Sequence, residues 1–317
     1  MGILSGLGRL LGAAPPPDGV LRSAIERAVA TADPLLRTVS GYERKLAPAV
    51  ACALDYCEDL AAAIPGPIEI NQRAFSADPL VHALFAAPGD IGDMLGKSRE
   101  LREFMTDPTL CPEDEFFGLL GMRQREKAVS GMALQGDRLQ SDVPQRLLYF
   151  ADHTLGELGG DHETTRQRLR AAAFDSLARG FAACVAELRQ QRQDARTAWS
   201  MEQASAAADR SERRQVLEER QRQAIASLTP ESLLHAFAEW LAAPEARLYL
   251  KPTEVTVDRM GVIASNPPAG GDFRTLSLPE LVARDRRHWI VLVARISRQD
   301  AADALLRQQQ ANRYLII

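Results

Sequence analysis

Residues 161–228 contain no proline, and after Gly180 no glycine. Those two residue types are the ones that most readily interrupt a helix. The run therefore predicts one helix, about 100 Å long if unbroken at 1.5 Å per residue. Its first part carries Leu169, Ala173, Leu177, Phe181, Cys184 and Leu188 at spacings of three and four, a stripe that has to pack against a core. From Gln190 to Gln215 the stripe dissolves into Ala195, Ala198, Trp199, Met201 and scattered alanines. Asp209 with Arg213 and Glu218 with Arg222 are acid-to-base pairs one helical turn apart. Such a helix is longer than a compact domain needs, so residues 189–228 are expected to be a solvent-exposed polar connector.

The flanking sequence divides around it. Residues 1–17 are an amphipathic segment closed by Pro15, Pro16 and Pro17. Asp18, Asp33-Pro34 and Asp78-Pro79 are helix starts, an N-cap followed in two cases by proline in the first turn. Pro48 opens or kinks a helix along Val50, Leu54, Cys57 and Leu60, Asp90 begins another through Met94, Leu95, Leu101 and Met105, and Ile68 to Ile70 is a short extended piece. Glycines at 118, 121, 131 and 136 argue against helix from about 115 to 150 and for a small antiparallel meander. Within it, Gly136-Asp137 forms a two-residue turn that sets Leu134 opposite Leu139. Thr229-Pro230-Glu231 caps a helix with Leu233, Leu234, Phe237, Trp240 and Leu241 on one face. Strands follow at 247–251, at 254–258 and at 289–296, where a continuous apolar run predicts burial on both faces and Trp289 in the core. A loop is expected at 266–271 and a last helix at about 299–310. The expected fold is α+β and mainly α: a helical bundle with β meander over 18–188, the connector, and a small C-terminal α+β unit over 229–317.

Composition excludes several classes. With 46% hydrophobic and 25% charged residues the chain has ordinary globular usage. A net charge of -4 disfavours a nucleic-acid binder of basic overall balance. Lysine occurs only at 45, 97, 127 and 251, an arginine bias expected of a GC-rich, bacterial-type coding sequence. Cys52, Cys57, Cys111 and Cys184 have no metal or redox spacing and read as reduced cytoplasmic thiols. No run reaches the roughly 20 apolar residues of a membrane span.

Three groups of residues could carry function. Between 152 and 163, His153, Asp161, His162 and Glu163 supply carboxylate and imidazole ligands that could hold a divalent metal and activate water. The bland alternative is an acidic first helical turn favoured by the helix dipole. Arg284, Arg286 and Arg287, followed by His288-Trp289, could grip an anion and stack on a base, or could be a solvated turn before a buried strand. Ile3, Leu4, Leu7, Leu10 and Leu11 form one helical stripe that docks on an external apolar surface or on the protein itself. Phosphate loops and nucleophile elbows are absent, and no cofactor is expected.

The expected function is a non-catalytic cytoplasmic adaptor or scaffold with a protein partner. Weak contact of residues 3–11 with the inner membrane face, and a homo-oligomer, are compatible additions. The alternatives are a metal-dependent hydrolase centred on 152–163 and an anion or nucleic-acid binder through 284–287.

Overall fold

A computed structural model describes residues 18–107, 114–135, 138–204, 216, 219, 222, 225–264, 272–284 and 288–314. Residues 1–17 and 286–287, and with them Ile3, Leu4, Leu7, Leu10, Leu11, Arg286 and Arg287, lie outside the described residues, as do the 136–137 turn and the 266–271 loop. The protein is mixed α and β. It forms two compact units, one of residues 1–57 with 173–248 and one of 58–172 with 249–317.

The first unit is helical. In α1 (Gly19–Ala32) the Asp18 carboxylate accepts the Leu21 N–H at 2.7 Å, and Ala24, Ile25, Ala28, Val29 and Ala32 face inward. Asp33-Pro34 opens a 3-10 turn, Pro34–Thr38, instead of the α-helix expected there. The first part of α2 (Tyr42–Ala63) accommodates Pro48 inside the helix and buries Leu46, Val50, Ala53 and Cys57. α7 (His162–Ala204) contributes Phe174, Leu177, Phe181 and Val185. α8 (Pro230–Ala242) starts with Thr229 accepting the Ser232 N–H and buries the five apolar residues read from its sequence. Trp240 is held by its indole N–H, which donates to Leu177 O at 3.0 Å, and by the Arg247 guanidinium 4.3 Å above its ring. Residues 190–201 of α7 are exposed except for partly buried Ala195 and Trp199, as their pattern implies.

The second unit is built on one six-stranded sheet: β1 (Ile68–Glu69), β2 (Glu115–Gln135), β3 (Arg138–Gly159), β4 (Tyr249–Asp258), β5 (Phe273–Val282) and β6 (His288–Ser297). The order is β3-β2-β6-β5-β4, antiparallel throughout, with β1 added in parallel to β6. β6 is the hub. Ile290, Leu292, Ala294 and Ile296 point to one face and Val291 and Val293 to the other, so period-two alternation is buried on both sides. The first face is covered by α3 (Gln72–Ala77), α4 (Pro79–Leu84), α5 (Pro88–Lys97), α6 (Arg99–Thr106) and α9 (Arg298–Tyr314) through Phe75, Leu84, Leu95, Phe104 and Ala301. The other face packs on Ala61, Ile64 and Leu169.

Several expectations are corrected here. The meander is a single hairpin, β2 with β3, that runs on to Gly159, with Leu134 and Leu139 paired as expected. Its glycines are slots in a strand: a Cβ on Gly118 would lie 2.6 Å from Leu158 Cδ2. The strands expected at 247–251 and 254–258 are one strand, β4, whose Pro252 sits opposite Pro279 of β5. β5 itself has no counterpart in the sequence reading. Trp289 is only partly buried, with the Arg123 guanidinium 5.0 Å over its ring.

β3 bends at three β-bulges, where its register against β2 slips between Phe117 and Leu119, Gly121 and Arg123, and Gly131 and Ala133. Each slip holds one acidic residue in the left-handed region: Glu157 (φ 51), Asp152 (φ 56) and Asp142 (φ 61). Extra residues of this kind increase strand twist. The curl brings β3 round to the segment after β4, where Leu148 N–H donates to Gly261 O at 2.9 Å and Ile263 N–H donates to Arg146 O at 2.8 Å.

Candidate functional site

The β2–β3 hairpin outruns the sheet. β6 pairs with β2 only as far as Met122, opposite Ile290. Beyond it, residues 125–128, 130 and 132 of β2 and 140–142, 144 and 146 of β3 are exposed, and Met132 keeps 65% of its surface in water. The 261–263 segment backs β3 as far as Arg146, and beyond the Val129–Gln145 pair the hairpin is, among the described residues, a two-stranded arm, a form that is marginal in water without a third strand.

Its two edges differ. The hydrogen-bond directions follow from β6: Val293 N–H donates to Pro65 O, and Arg295 O accepts from Ile70 N–H, so odd residues of β6 face β1 and even ones face β2. Even residues of β2 then face β6, and by alternation Glu126, Ala128 and Ser130 present N–H and C=O to that same side, where no described strand pairs with them. Pro144 agrees, since its pairing with Ser130 is possible only where no N–H is required of it. On the β3 edge the missing Pro144 N–H and the left-handed bulge at Asp142, whose carboxylate turns back to accept from the Ser130 hydroxyl at 3.2 Å, blunt strand addition. On the β2 edge, Ala128 to Gln135 carries neither charge nor proline. One edge is guarded and the other is open.

At the root of the arm lies a basic cluster. Arg123 and Arg125 share the carboxylate of Asp152, at 3.6 Å and 3.9 Å, which the left-handed bulge aims across the ladder. Gln124 and His288 complete a shallow surface there, and His288 Nδ1 lies 2.8 Å from Glu280. Arg284 precedes this strand start. The sequence reading named Arg284 and its neighbours and missed Arg123 and Arg125, which only the β2–β6 pairing brings alongside.

The structure does not gather the candidate metal ligands. His153 sits inside β3 at the second bulge; its Nε2–H donates to Leu84 O at 2.8 Å and its ring stacks on Phe85. Asp161 caps α7, accepting the Thr164 N–H and hydroxyl at 2.7 Å each, and these bonds hold its carboxyl below the usual range. His162 Nε2 accepts from Arg166 Nε at 3.2 Å, and burial pushes the Arg166 guanidinium down. Glu163 accepts from Gln167 at 3.1 Å. Among the described residues, no three His, Cys, Asp or Glu side chains converge to hold a metal. No described helix is long and apolar enough to cross a membrane.

An open, largely apolar concavity of about 670 Å³ lies between α4, β3 and the end of β4, lined by Phe85, Tyr149, Phe150, Met260 and Leu276. No protein family, curated protein or solved structure matches this chain. The site therefore rests on its own geometry.

Proposed function

We propose that the protein is a non-catalytic cytoplasmic adaptor or scaffold that engages a protein partner by strand addition on the β2 edge of its arm. The observation that carries this reading is the asymmetry of the arm, guarded along β3 and unguarded along β2 over Ala128–Gln135. Main-chain hydrogen bonds to a free edge supply affinity, and the alternating side chains supply selectivity. The exposed polar turns of α7 and the apolar stripe at residues 3–11 are additional surfaces for the same role, the latter suited to weak contact with a membrane's inner face.

The test is an arm-less variant in which residues 130–144 are replaced by Asn-Gly, closing the hydrogen-bonded Val129–Gln145 pair with a two-residue turn. Partners captured by the full chain, identified and then purified, should bind the full chain and lose at least tenfold in affinity for the variant. A variant that retains every partner at full affinity would move the function off the arm.

A second reading, anion or nucleic-acid binding, is favoured by one observation: Arg123 and Arg125 join His288 and Trp289 on one surface. A generic duplex or single strand whose binding weakens steeply with salt, and which Arg123→Ala with Arg125→Ala abolishes, would establish it. Binding unaffected by that pair of substitutions would dismiss it.

A further inference from the structure

We infer that the occupant of the open β2 edge is a second copy of this chain, the two arms pairing antiparallel about a two-fold axis at Ser130. This rests on the strand-addition reading above and names the partner for it.

The argument is one of register. In a two-fold antiparallel pair the same edge serves both copies, and if residue i faces j, then j faces i. Hydrogen-bonded pairs must join residues that both direct N–H and C=O outward, which on this edge are the even-numbered ones. That parity excludes every register that sets an even residue against an odd one, including the salt-bridged alternative of Arg125 opposite Glu126.

A second limit comes from β6. Met122 is opposite Ile290, so His288 at the start of β6 lies beside Gln124, and an added strand has room only from Arg125 outward. The longest even register that keeps the partner's strand, which ends at Gln135, clear of β6 places Ser130 opposite Ser130 of the second copy. Ala128 then meets Met132, Glu126 meets Leu134, Lys127 meets Ala133 and Arg125 meets Gln135. Met132 O already accepts from the Gln145 side chain at 3.1 Å, and its second lone pair remains for the new ladder.

Charge supports this occupant over the other classes. In this register no charged residue faces a charged residue, so the neutral run that leaves the edge unguarded becomes the centre of the interface. The arm from 124 to 146 carries Arg125, Lys127, Arg138 and Arg146 against Glu126, Asp137 and Asp142. Such a near-balanced ribbon is a poor fit to a polyanion. Pairing also converts two marginal two-stranded ribbons into one four-stranded sheet of uniform twist.

The test uses the full chain. Sedimentation equilibrium should report twice the 34.8 kDa chain mass, dissociating on dilution. Ser130→Lys gives up the hydroxyl's 3.2 Å bond to Asp142 and places two ammonium groups at the axis; it should weaken the dimer at least tenfold while Ser130→Ala, which loses the same bond, leaves the dimer intact. Ala128→Pro removes an outward N–H that β3 does not use, and should weaken it likewise. Under mild oxidation Ser130→Cys should form an intermolecular disulfide that neither the parent chain nor Gln140→Cys, at an exposed position of β3, forms.

A parent chain that stays monomeric to about 100 μM, far above ordinary specific affinities, overturns the inference. So does a dimer that Ser130→Lys leaves intact and Ser130→Cys does not cross-link. In either case an arm-dependent partner would still uphold the strand-addition reading. A cross-linking dimer whose arm-less variant keeps every other partner would uphold the second-copy inference and confine the arm to self-association.

Discussion

From Glu115 to Met122, β2 lies between β3 and β6, and Phe116, Leu120 and Met122 are fully buried; from Arg125 to Met132 the same strand has β3 on one side and no described strand on the other. Both halves belong to one continuous ladder with similar backbone pairing. What separates them is a third strand and a covering layer of helices. The base gains stability from apolar burial, whereas the arm has little to bury and keeps a free edge available. A strand can thus be enclosed by neighbours at one end and paired on a single side at the other without any change in its secondary structure.

The sharpest way to break this comparison is a matched pair of truncations. Phe116→Ala removes a ring packed 5.4 Å from Phe104 and should cost about 3–5 kcal/mol in urea unfolding. Val129→Ala in the arm should cost less than about 1 kcal/mol. Equal losses would show the arm to be part of the cooperative core.

Glycine scanning sharpens the contrast at lower amplitude. A Cβ on Gly118 meets buried Leu158 and Leu155 and the carbonyl of Gly156, so Gly118→Ala should cost about 1–3 kcal/mol by overpacking. On Gly131 the nearest atoms belong to the far end of the Gln145 side chain, which can swing aside in water. Gly131→Ala should therefore be close to neutral in the same assay. A larger loss at Gly131 than at Gly118 would contradict the assignment of base and arm.

The smallest effect is expected where the base runs into α7. Asp161→Ala removes an N-cap and should cost about 1 kcal/mol at neutral pH. Because the folded-state carboxyl is held below its ordinary value by the Thr164 bonds, its contribution is complete above that value. It disappears as pH falls through the lowered one. Urea melts of parent and variant should accordingly converge below about pH 4. A gap that widens on acidification would assign the cap to another group.

Much of the local structure was legible in the sequence, for identifiable reasons. Asp18, Thr229 and the proline positions marked helix starts because capping is a one-turn interaction, complete within three residues. The apolar run at 289–294 implied two-sided burial because consecutive apolar residues leave neither face of a strand polar. The loss of stripe after Leu188 marked the exposed turns of α7. Reading was poorer where glycine and acidic residues had two uses. Gly118, Gly121 and Gly131 could end strands or fill tight places inside one, and only the neighbouring Leu158, Thr154 and Gln145 decide between them. Asp161, His162 and Glu163 could ligate a metal or build a first helical turn, and the side chains that occupy them belong to the helix.

The open edge was recoverable in part. A neutral, proline-free run from Ala128 to Gln135 facing a return strand that contains Pro144 is a visible asymmetry in gatekeeping. Whether it faces water depends on where β6 stops, a pairing between residues 115–122 and 290–297.

The sequence by itself determined the helix caps, the apolar faces of α1, α7 and α8, the hairpin turn register and the two-sided burial of β6, all interactions that close within a few residues or follow one period. Only the tertiary structure decided that both β regions share a sheet, that Arg123 and Arg125 stand beside His288, and that β2 outlives its neighbour to leave an arm with one open edge. Those outcomes rest on hydrogen bonds between segments more than 150 residues apart, whose backbone donors and acceptors are the same at every position and so leave no mark in the residue types themselves.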